Sequence, residues 1–77
     1  MEQEVIKILN EIRPEFDFRE HVNFIEEGML DSFDIIRLVV ELDNKFGISI
    51  DGIDILPNNF SSVDNIVALL YKNGAIK

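Results

Sequence analysis

Apolar residues near the start of the chain follow the period of an α-helix. They recur at spacings of three and four residues, at Val5, Ile8, Leu9 and Ile12. This spacing places them on one face of a helix. Because Pro14 disfavours helical backbone at the preceding residue, the pattern predicts a first helix over residues 2–13.

The stretch from residue 14 to residue 31 has no clear period, yet it is rich in large apolar side chains. These are Phe16, Phe18, Val22, Phe24, Ile25, Met29 and Leu30. We therefore expect this stretch to pack against the core. A long ordered connection of this kind is uncommon in small domains and is often functional.

A second helix is predicted over residues 32–46. Either Asp31 or Ser32 can serve as its N-cap, and Gly47 can end it. Its apolar residues cover roughly 220° of the circumference, about twice the arc that one core-facing side requires. They are Phe33, Ile35, Ile36, Leu38, Val39, Val40, Leu42 and Phe46.

Two arrangements fit this wide apolar arc. In the first, other elements of the fold pack against both sides of the second helix. In the second, one margin stays partly exposed, and Phe33, Ile36 and Val40 form a docking patch for a partner. The pattern alone leaves both arrangements open.

Beyond the second helix, the pattern favours irregular structure with at most a short helical turn at residues 54–57. A last helix follows, for which Ser61 and Asp64 resemble a capping box. Apolar residues then recur at helical spacing, at Val63, Ile66, Val67 and Leu70. We expect this helix to reach about Asn73.

These elements together predict the fold class. It is all-α, a small three-to-four-helix bundle with a long loop between helices 1 and 2. We find no internal repeat and no linker-like composition, so a single domain over residues 1–77 is expected.

The charge of the chain narrows the choice of partners. Its 15 acidic and 7 basic residues give a net charge of -8, and there is no cysteine for a disulfide or a thiolate metal site. Such a chain repels nucleic acid and anionic lipid and is attracted to basic protein surfaces. We expect no nucleic acid partner, no membrane insertion and a monomer. The first residues lack the basic region of a signal peptide, so a cytoplasmic location is expected.

The strongest candidate for chemistry is a serine at the predicted start of the second helix. Ser32 is expected to be exposed there, and a phosphodiester attached to it would lie near the positive end of the helix and its free N–H groups. Asp31 or Ser32 can equally well be a simple helix cap. The position alone therefore does not decide the function.

The surrounding motif does carry a resemblance. The segment GMLDSFD at residues 28–34, the segment FGISI at residues 46–50 and the segment NFSSV at residues 59–63 lie in the same helical frame. This pattern resembles the acyl and peptidyl carrier protein family over nearly the full chain. The Leu30-Asp31-Ser32 form is similar to stand-alone aminoacyl carriers, including D-alanyl carrier proteins. Fatty-acid-type carriers usually have leucine after the serine and a denser acidic run on this helix, whereas this chain has Phe33, Arg37 and Lys45. The two cations weaken the acidic stripe, which argues against a role with standard fatty acid synthesis enzymes.

The resemblance implies a role for each residue of the motif. Ser32 would receive 4'-phosphopantetheine from coenzyme A through a phosphopantetheinyl transferase, which would recognise Asp31. The group would carry an acyl or aminoacyl cargo as a thioester, so the protein itself would be no enzyme. The implied partner-binding residues are Phe33, Asp34, Ile36, Val40 and Glu41. The implied partners are an adenylate-forming ligase or acyltransferase and downstream synthases.

Other functions fit the sequence less well. A serine hydrolase would need a base, and the single histidine, His21, lies in the long loop without a Gly-x-Ser-x-Gly motif at Ser32. The acidic segment at residues 51–54 lacks the ligand pattern of a calcium loop. An unmodified acidic helical domain that binds one partner remains the main alternative.

Overall fold

The computed structural model describes residues 1–75, in which three α-helices and two short 3₁₀ helices follow one another. Helix α1 spans Glu2–Ile12, helix α2 spans Ser32–Phe46 and helix α3 spans Val63–Lys72. The 3₁₀ helices span Gly52–Asp54 and Pro57–Phe60. This part of the chain contains no strand, so the all-α prediction is confirmed. The last two residues of the predicted domain, 76 and 77, lie outside the described range.

Helix α1 buries the face that the sequence predicts. Its buried residues are Val5, Ile8, Leu9 and Ile12. The helix packs against both α2 and α3. It ends at Arg13, whose backbone angles are not helical and whose N–H donates to the Leu9 carbonyl at 2.9 Å. Pro14 follows directly, as the predicted stop requires.

The long connection between α1 and α2 forms part of the core. Phe18 and Phe24 are almost completely buried, and their rings meet edge to face with centroids 5.0 Å apart. The backbone N–H of Phe24 donates to the Ser61 carbonyl at 2.8 Å, which joins the connection to the segment before α3. The prediction that this stretch packs on the core is therefore confirmed.

Helix α2 directs only part of its apolar arc inward. Its buried apolar residues are Ile35, Leu38, Val39 and Leu42. The helix ends at Gly47, whose φ of 65° and ψ of 38° are left-handed. The following N–H, that of Ile48, donates back to the Asp43 carbonyl at 3.1 Å. This left-handed position suits glycine, which has no Cβ to strain it.

The segment between α2 and α3 differs in detail from the prediction. It contains two 3₁₀ helices, and neither coincides with the expected turn at residues 54–57. The first is held by the buried Asp54, whose carboxylate accepts a 2.7 Å bond from Lys72 Nζ on α3. No helix in the described residues is long and apolar enough to cross a membrane.

The cap of α3 corrects the sequence prediction by one residue. Ser62 is the N-cap, and its hydroxyl accepts from the Asn65 N–H at 3.1 Å. The predicted cap, Ser61, is buried, and its hydroxyl donates to the Asn58 carbonyl at 2.9 Å. Because this hydroxyl also accepts from the Asn65 side chain, Ser61 joins the 3₁₀ turn to α3. The predicted capping box with Asp64 is therefore wrong.

Candidate functional site

The candidate site lies at the start of α2, where two aspartates close a reciprocal cap. Asp31 is the N-cap, and its Oδ1 accepts from the Asp34 N–H at 2.9 Å. In return, Asp34 Oδ2 accepts from the Asp31 N–H at 3.0 Å. This resolves the open choice between Asp31 and Ser32 as the cap. It also makes Ser32 the first residue of the helix.

Ser32 is exposed at this helix start. The first N–H groups of a helix have no partner within the helix and form its positive end. A phosphodiester carried on the serine oxygen would therefore lie beside donors and a favourable dipole. The Ser32 side chain is thus exposed at the positive end of α2.

A third charged residue joins the cap from the end of α1. Arg13 Nε donates to Asp34 Oδ2 at 2.8 Å, and Arg13 Nη2 donates to Asp31 Oδ2 at 3.1 Å. A further bond from Arg13 Nη1 reaches Glu15 at 3.2 Å. One guanidinium thus bridges the end of α1 and the start of α2.

These hydrogen bonds shift the pKa values of Asp31 and Arg13. The Asp34 N–H holds the pKa of the Asp31 carboxyl below its ordinary value, and the nearby Arg13 charge lowers it further. The hydrogen bond to Asp34 raises the pKa of the Arg13 guanidinium. Asp31 is consequently an anion at neutral pH, held in one orientation beside the serine.

Asp34, one of the predicted docking residues, is buried in the structure. The sequence suggests Asp34 as an acidic contact for partner proteins, but the residue is only 6% exposed. Its carboxylate is occupied by Arg13 and by the Asp31 N–H. A buried carboxylate that already has its partners is a poor contact for an external basic surface. Asp34 is thus part of the cap of α2.

The other docking candidates lie along one side of α2. Phe33, Ile36 and Val40 are 76%, 59% and 52% exposed, and their spacing of three and four residues aligns them. We call these three residues the apolar row. Glu41, which follows Val40 in the sequence, is also exposed. Of the two arrangements left open by the sequence, the structure has the one with an exposed margin.

Two features of the surface were missed by sequence reasoning. Ile53 and Leu56 are large apolar residues that remain exposed between α2 and α3. The sequence signal for these residues is a run of apolar side chains without helical period, which predicts irregular structure and does not indicate exposure. The role of Arg13 was also missed, because no local pattern links it to an aspartate 21 residues away.

His21, the single histidine, lies in the long connection between α1 and α2. It is exposed and lines an open groove of about 490 Å³ between the start of α1, the long connection and the start of α3. A base that activates a serine must come within hydrogen-bond reach of it, and the residues that line the groove with His21 do not include Ser32.

Comparison with known proteins agrees with this site. The family described as "Phosphopantetheine attachment site" matches residues 3–70. The chain is also similar to a D-alanyl carrier protein of Bacillus velezensis, with 34% identity over 67 residues, 84% of this chain and 86% of the relative. A D-alanyl carrier protein of Staphylococcus saprophyticus is 30% identical over 69 residues, 87% of this chain and 88% of the relative. One of Lactococcus lactis is 31% identical over 70 residues, 88% and 89% of the two chains.

The family match covers all three helices up to residue 70 and includes the start of α2. Carriers of this kind hold their cargo on covalently attached 4'-phosphopantetheine, and they work with ligases and transferases without being catalysts themselves. An exposed serine at a capped helix start is consistent with that chemistry. The chain therefore belongs to the phosphopantetheine attachment-site family of carrier proteins.

Proposed function

We propose that the chain is an aminoacyl carrier whose 4'-phosphopantetheine is attached to Ser32. The observation that carries this proposal is the exposed hydroxyl of Ser32 at the first position of α2. The positive end of the helix dipole suits the phosphodiester that links the arm to the protein. Once bound, the group supplies a terminal thiol that holds the cargo as a thioester.

D-alanine is the cargo that we propose. Three relatives that align over more than four fifths of the chain carry the name D-alanyl carrier protein. The sequence form Leu30-Asp31-Ser32 points in the same direction. The partners would then be a phosphopantetheinyl transferase, an adenylate-forming ligase that loads the amino acid and an enzyme that accepts it.

The surface of α2 supports a docking role. The apolar row begins next to Ser32, so a partner that covers it also lies close to the arm. Exposed Glu41 and the net charge of -8 favour basic partner surfaces and raise the rate of encounter more than the final affinity. Weak, rapid docking suits a carrier that visits several enzymes in turn.

The protein itself contributes no acid, base or nucleophile to turnover in this proposal. Tethering raises the effective concentration of the cargo at each docked active site, which is the gain that a carrier provides. The proposed unit is a single monomeric carrier domain over residues 1–77, acting in the cytoplasm where coenzyme A is available.

Mass spectrometry tests the attachment site. The protein is incubated with coenzyme A, magnesium and a phosphopantetheinyl transferase of broad specificity. We expect a gain of one phosphopantetheine mass for the wild type and for the control Ser49→Ala, which removes another exposed serine, and none for Ser32→Ala. A gain that persists in Ser32→Ala, or no gain in the wild type, would refute the attachment to Ser32.

The cargo is tested on the modified protein. The candidate ligase is supplied with ATP and either D-alanine or L-alanine, and the protein is weighed again. We expect a further mass gain with D-alanine that hydroxylamine removes, because hydroxylamine cleaves thioesters. Equal loading by both enantiomers, or loading only by a fatty acid and its ligase, would contradict the proposed cargo while leaving the carrier function intact.

A further inference from the structure

Arg13 lies where the end of α1 meets the start of α2. Its guanidinium donates to Asp34, Asp31 and Glu15 at 2.8, 3.1 and 3.2 Å. The first two acceptors are the residues that cap α2 on either side of Ser32 in the sequence. We refer to Arg13, Asp31 and Asp34 as the clamp.

We propose that Arg13 is a positioning residue for the loading of Ser32, because it fixes both capping aspartates and thereby the first turn of α2. This inference rests on the proposed attachment site. Arg13 makes no contact with the serine in this network and acts through the residues beside it. Its role differs from that of Asp31, to which the family resemblance already assigns recognition by the transferase.

The clamp is a closed network of hydrogen bonds. Asp31 Oδ1 accepts from the Asp34 N–H, and its second oxygen accepts from Arg13. Asp34 Oδ2 accepts both from the Asp31 N–H and from Arg13. Removal of Arg13 leaves the buried Asp34 carboxylate with a backbone donor but without its cation. A buried charge that loses its partner is costly, so the cap is expected to loosen.

Geometry favours arginine over lysine at this position. The Nε and Nη2 groups donate along one edge of a rigid planar fork to two different carboxylates. A lysine ammonium supplies the same charge on a flexible stem and cannot reproduce this fork. Arg13→Lys should therefore recover only part of the effect of Arg13.

The clamp orients Asp31 and does not hide it. The Asp31 side chain is 56% exposed in spite of its bond to Arg13. An incoming enzyme can therefore still reach the carboxylate, and it meets this group in a single arrangement. Such pre-organisation avoids the cost of ordering the helix start during the encounter.

Arg19 provides a matched control. Arg19 lies in the long connection, and within residues 1–75 its side chain bonds only to the neighbouring Asp17 at the surface. Arg13→Gln and Arg19→Gln change the net charge equally. A difference between the two variants therefore reports on the clamp and not on long-range attraction to the transferase.

The first measurement is independent of loading. Hydrogen exchange of the Asp34 amide, which donates to Asp31, is followed by NMR in both variants. We expect faster exchange in Arg13→Gln and unchanged exchange in Arg19→Gln. Equal exchange in the two variants would show that Arg13 does not hold the cap and would overturn the inference.

The second measurement is the kcat/KM of phosphopantetheine transfer, determined at a temperature where circular dichroism shows every variant to be folded. We expect Arg13→Gln to lower kcat/KM by about tenfold, since small misplacements of a reacting group are costly. Arg19→Gln should match the wild type, and Arg13→Lys should fall between. Equal rates for Arg13→Gln and Arg19→Gln, or faster loading of Arg13→Gln, would overturn the positioning role.

A double-mutant cycle tests whether Arg13 acts through Asp31. Asp31→Asn keeps a capping oxygen but removes the charge that Arg13 binds. In this background Arg13→Gln should reduce loading by a smaller factor than in the wild type. An undiminished effect would overturn the proposed route. If the wild type is never loaded, the attachment site itself is refuted. The hydrogen-exchange experiment does not depend on loading, so it still shows whether Arg13 holds the cap.

Discussion

Val39 and Val40 are neighbours on α2 that occupy opposite environments. Val39 lies in the core at 9% exposure, whereas Val40 belongs to the apolar row at 52% exposure. Replacement of either residue by alanine removes the same side-chain atoms from the same helix. A difference in stability between Val39→Ala and Val40→Ala therefore reports on burial.

The expected magnitude follows from the groups removed. Two buried methyl groups contribute about 1.6 kcal/mol at about 0.8 kcal/mol each, and a residual cavity adds to the loss at Val39. The helix propensity of alanine is more favourable than that of valine by roughly 0.5 kcal/mol, which offsets part of the loss at each position. We expect Val39→Ala to lower the free energy of unfolding by about 1.5 kcal/mol and Val40→Ala by less than about 0.5 kcal/mol.

Thermal and urea unfolding followed by circular dichroism measure this difference. In a domain of this size a change of 1 kcal/mol shifts the melting temperature by about 4–8 °C. Val39→Ala should therefore melt several degrees below Val40→Ala. Equal destabilisation by the two substitutions would mean that Val40 is a core residue, and the apolar row would then be wrongly assigned.

The same pair separates folding from docking. Val40→Glu should stay folded, because the new charge reaches solvent, yet it should slow cargo loading by the ligase because it places a charge in the apolar row. Val39→Ala should load at the wild-type rate per folded molecule. Loading of Val40→Glu at the wild-type rate would refute the docking role of this row.

Two further predictions concern the frame around the site. Gly47→Ala should lower the free energy of unfolding by about 1 kcal/mol in urea titrations, since the added Cβ meets no neighbour and only the left-handed backbone opposes it; an unchanged stability would contradict this. The hydrogen bond from Lys72 lowers the pKa of Asp54 below its usual 3.8. The stability that this bond provides is therefore complete above pH 3.8 and is lost as the pH falls through the folded-state pKa of Asp54. Urea titrations from pH 7 to pH 3 should therefore show Lys72→Gln less stable than the wild type at neutral pH, and the difference in free energy of unfolding should narrow in acid. A difference that stays constant with pH, or an equal effect of the control Lys45→Gln, would exclude the Lys72–Asp54 pair as the cause.

Much of the fold could be predicted because its signals are local. The buried face of α1 and the end of α2 at Gly47 follow from helical spacing and from one glycine. The burial of Phe18 and Phe24 in the long connection follows from their size and apolarity. In each case residues close in sequence carry the information, so the prediction needs no knowledge of tertiary contacts.

The parts that sequence reasoning missed depend on distant partners. Asp34 resembles a surface acid of α2, and only its bond to Arg13 reveals a buried role. Ser61 resembles an N-cap, but its hydroxyl donates to the Asn58 carbonyl, and Ser62 caps α3 instead. The wide apolar arc of α2 likewise allowed two arrangements, since the period of a helix does not show which neighbours cover it.

The apolar row also bears on how the protein behaves at high concentration. An exposed row of apolar side chains on a small protein favours association between copies. Here each copy carries a net charge of -8, and this repulsion extends over about 10 Å at 0.1 M salt but only about 3 Å at 1 M. Mutual repulsion thus opposes association of copies through the apolar row at ordinary ionic strength, whereas a basic protein surface would meet no such barrier.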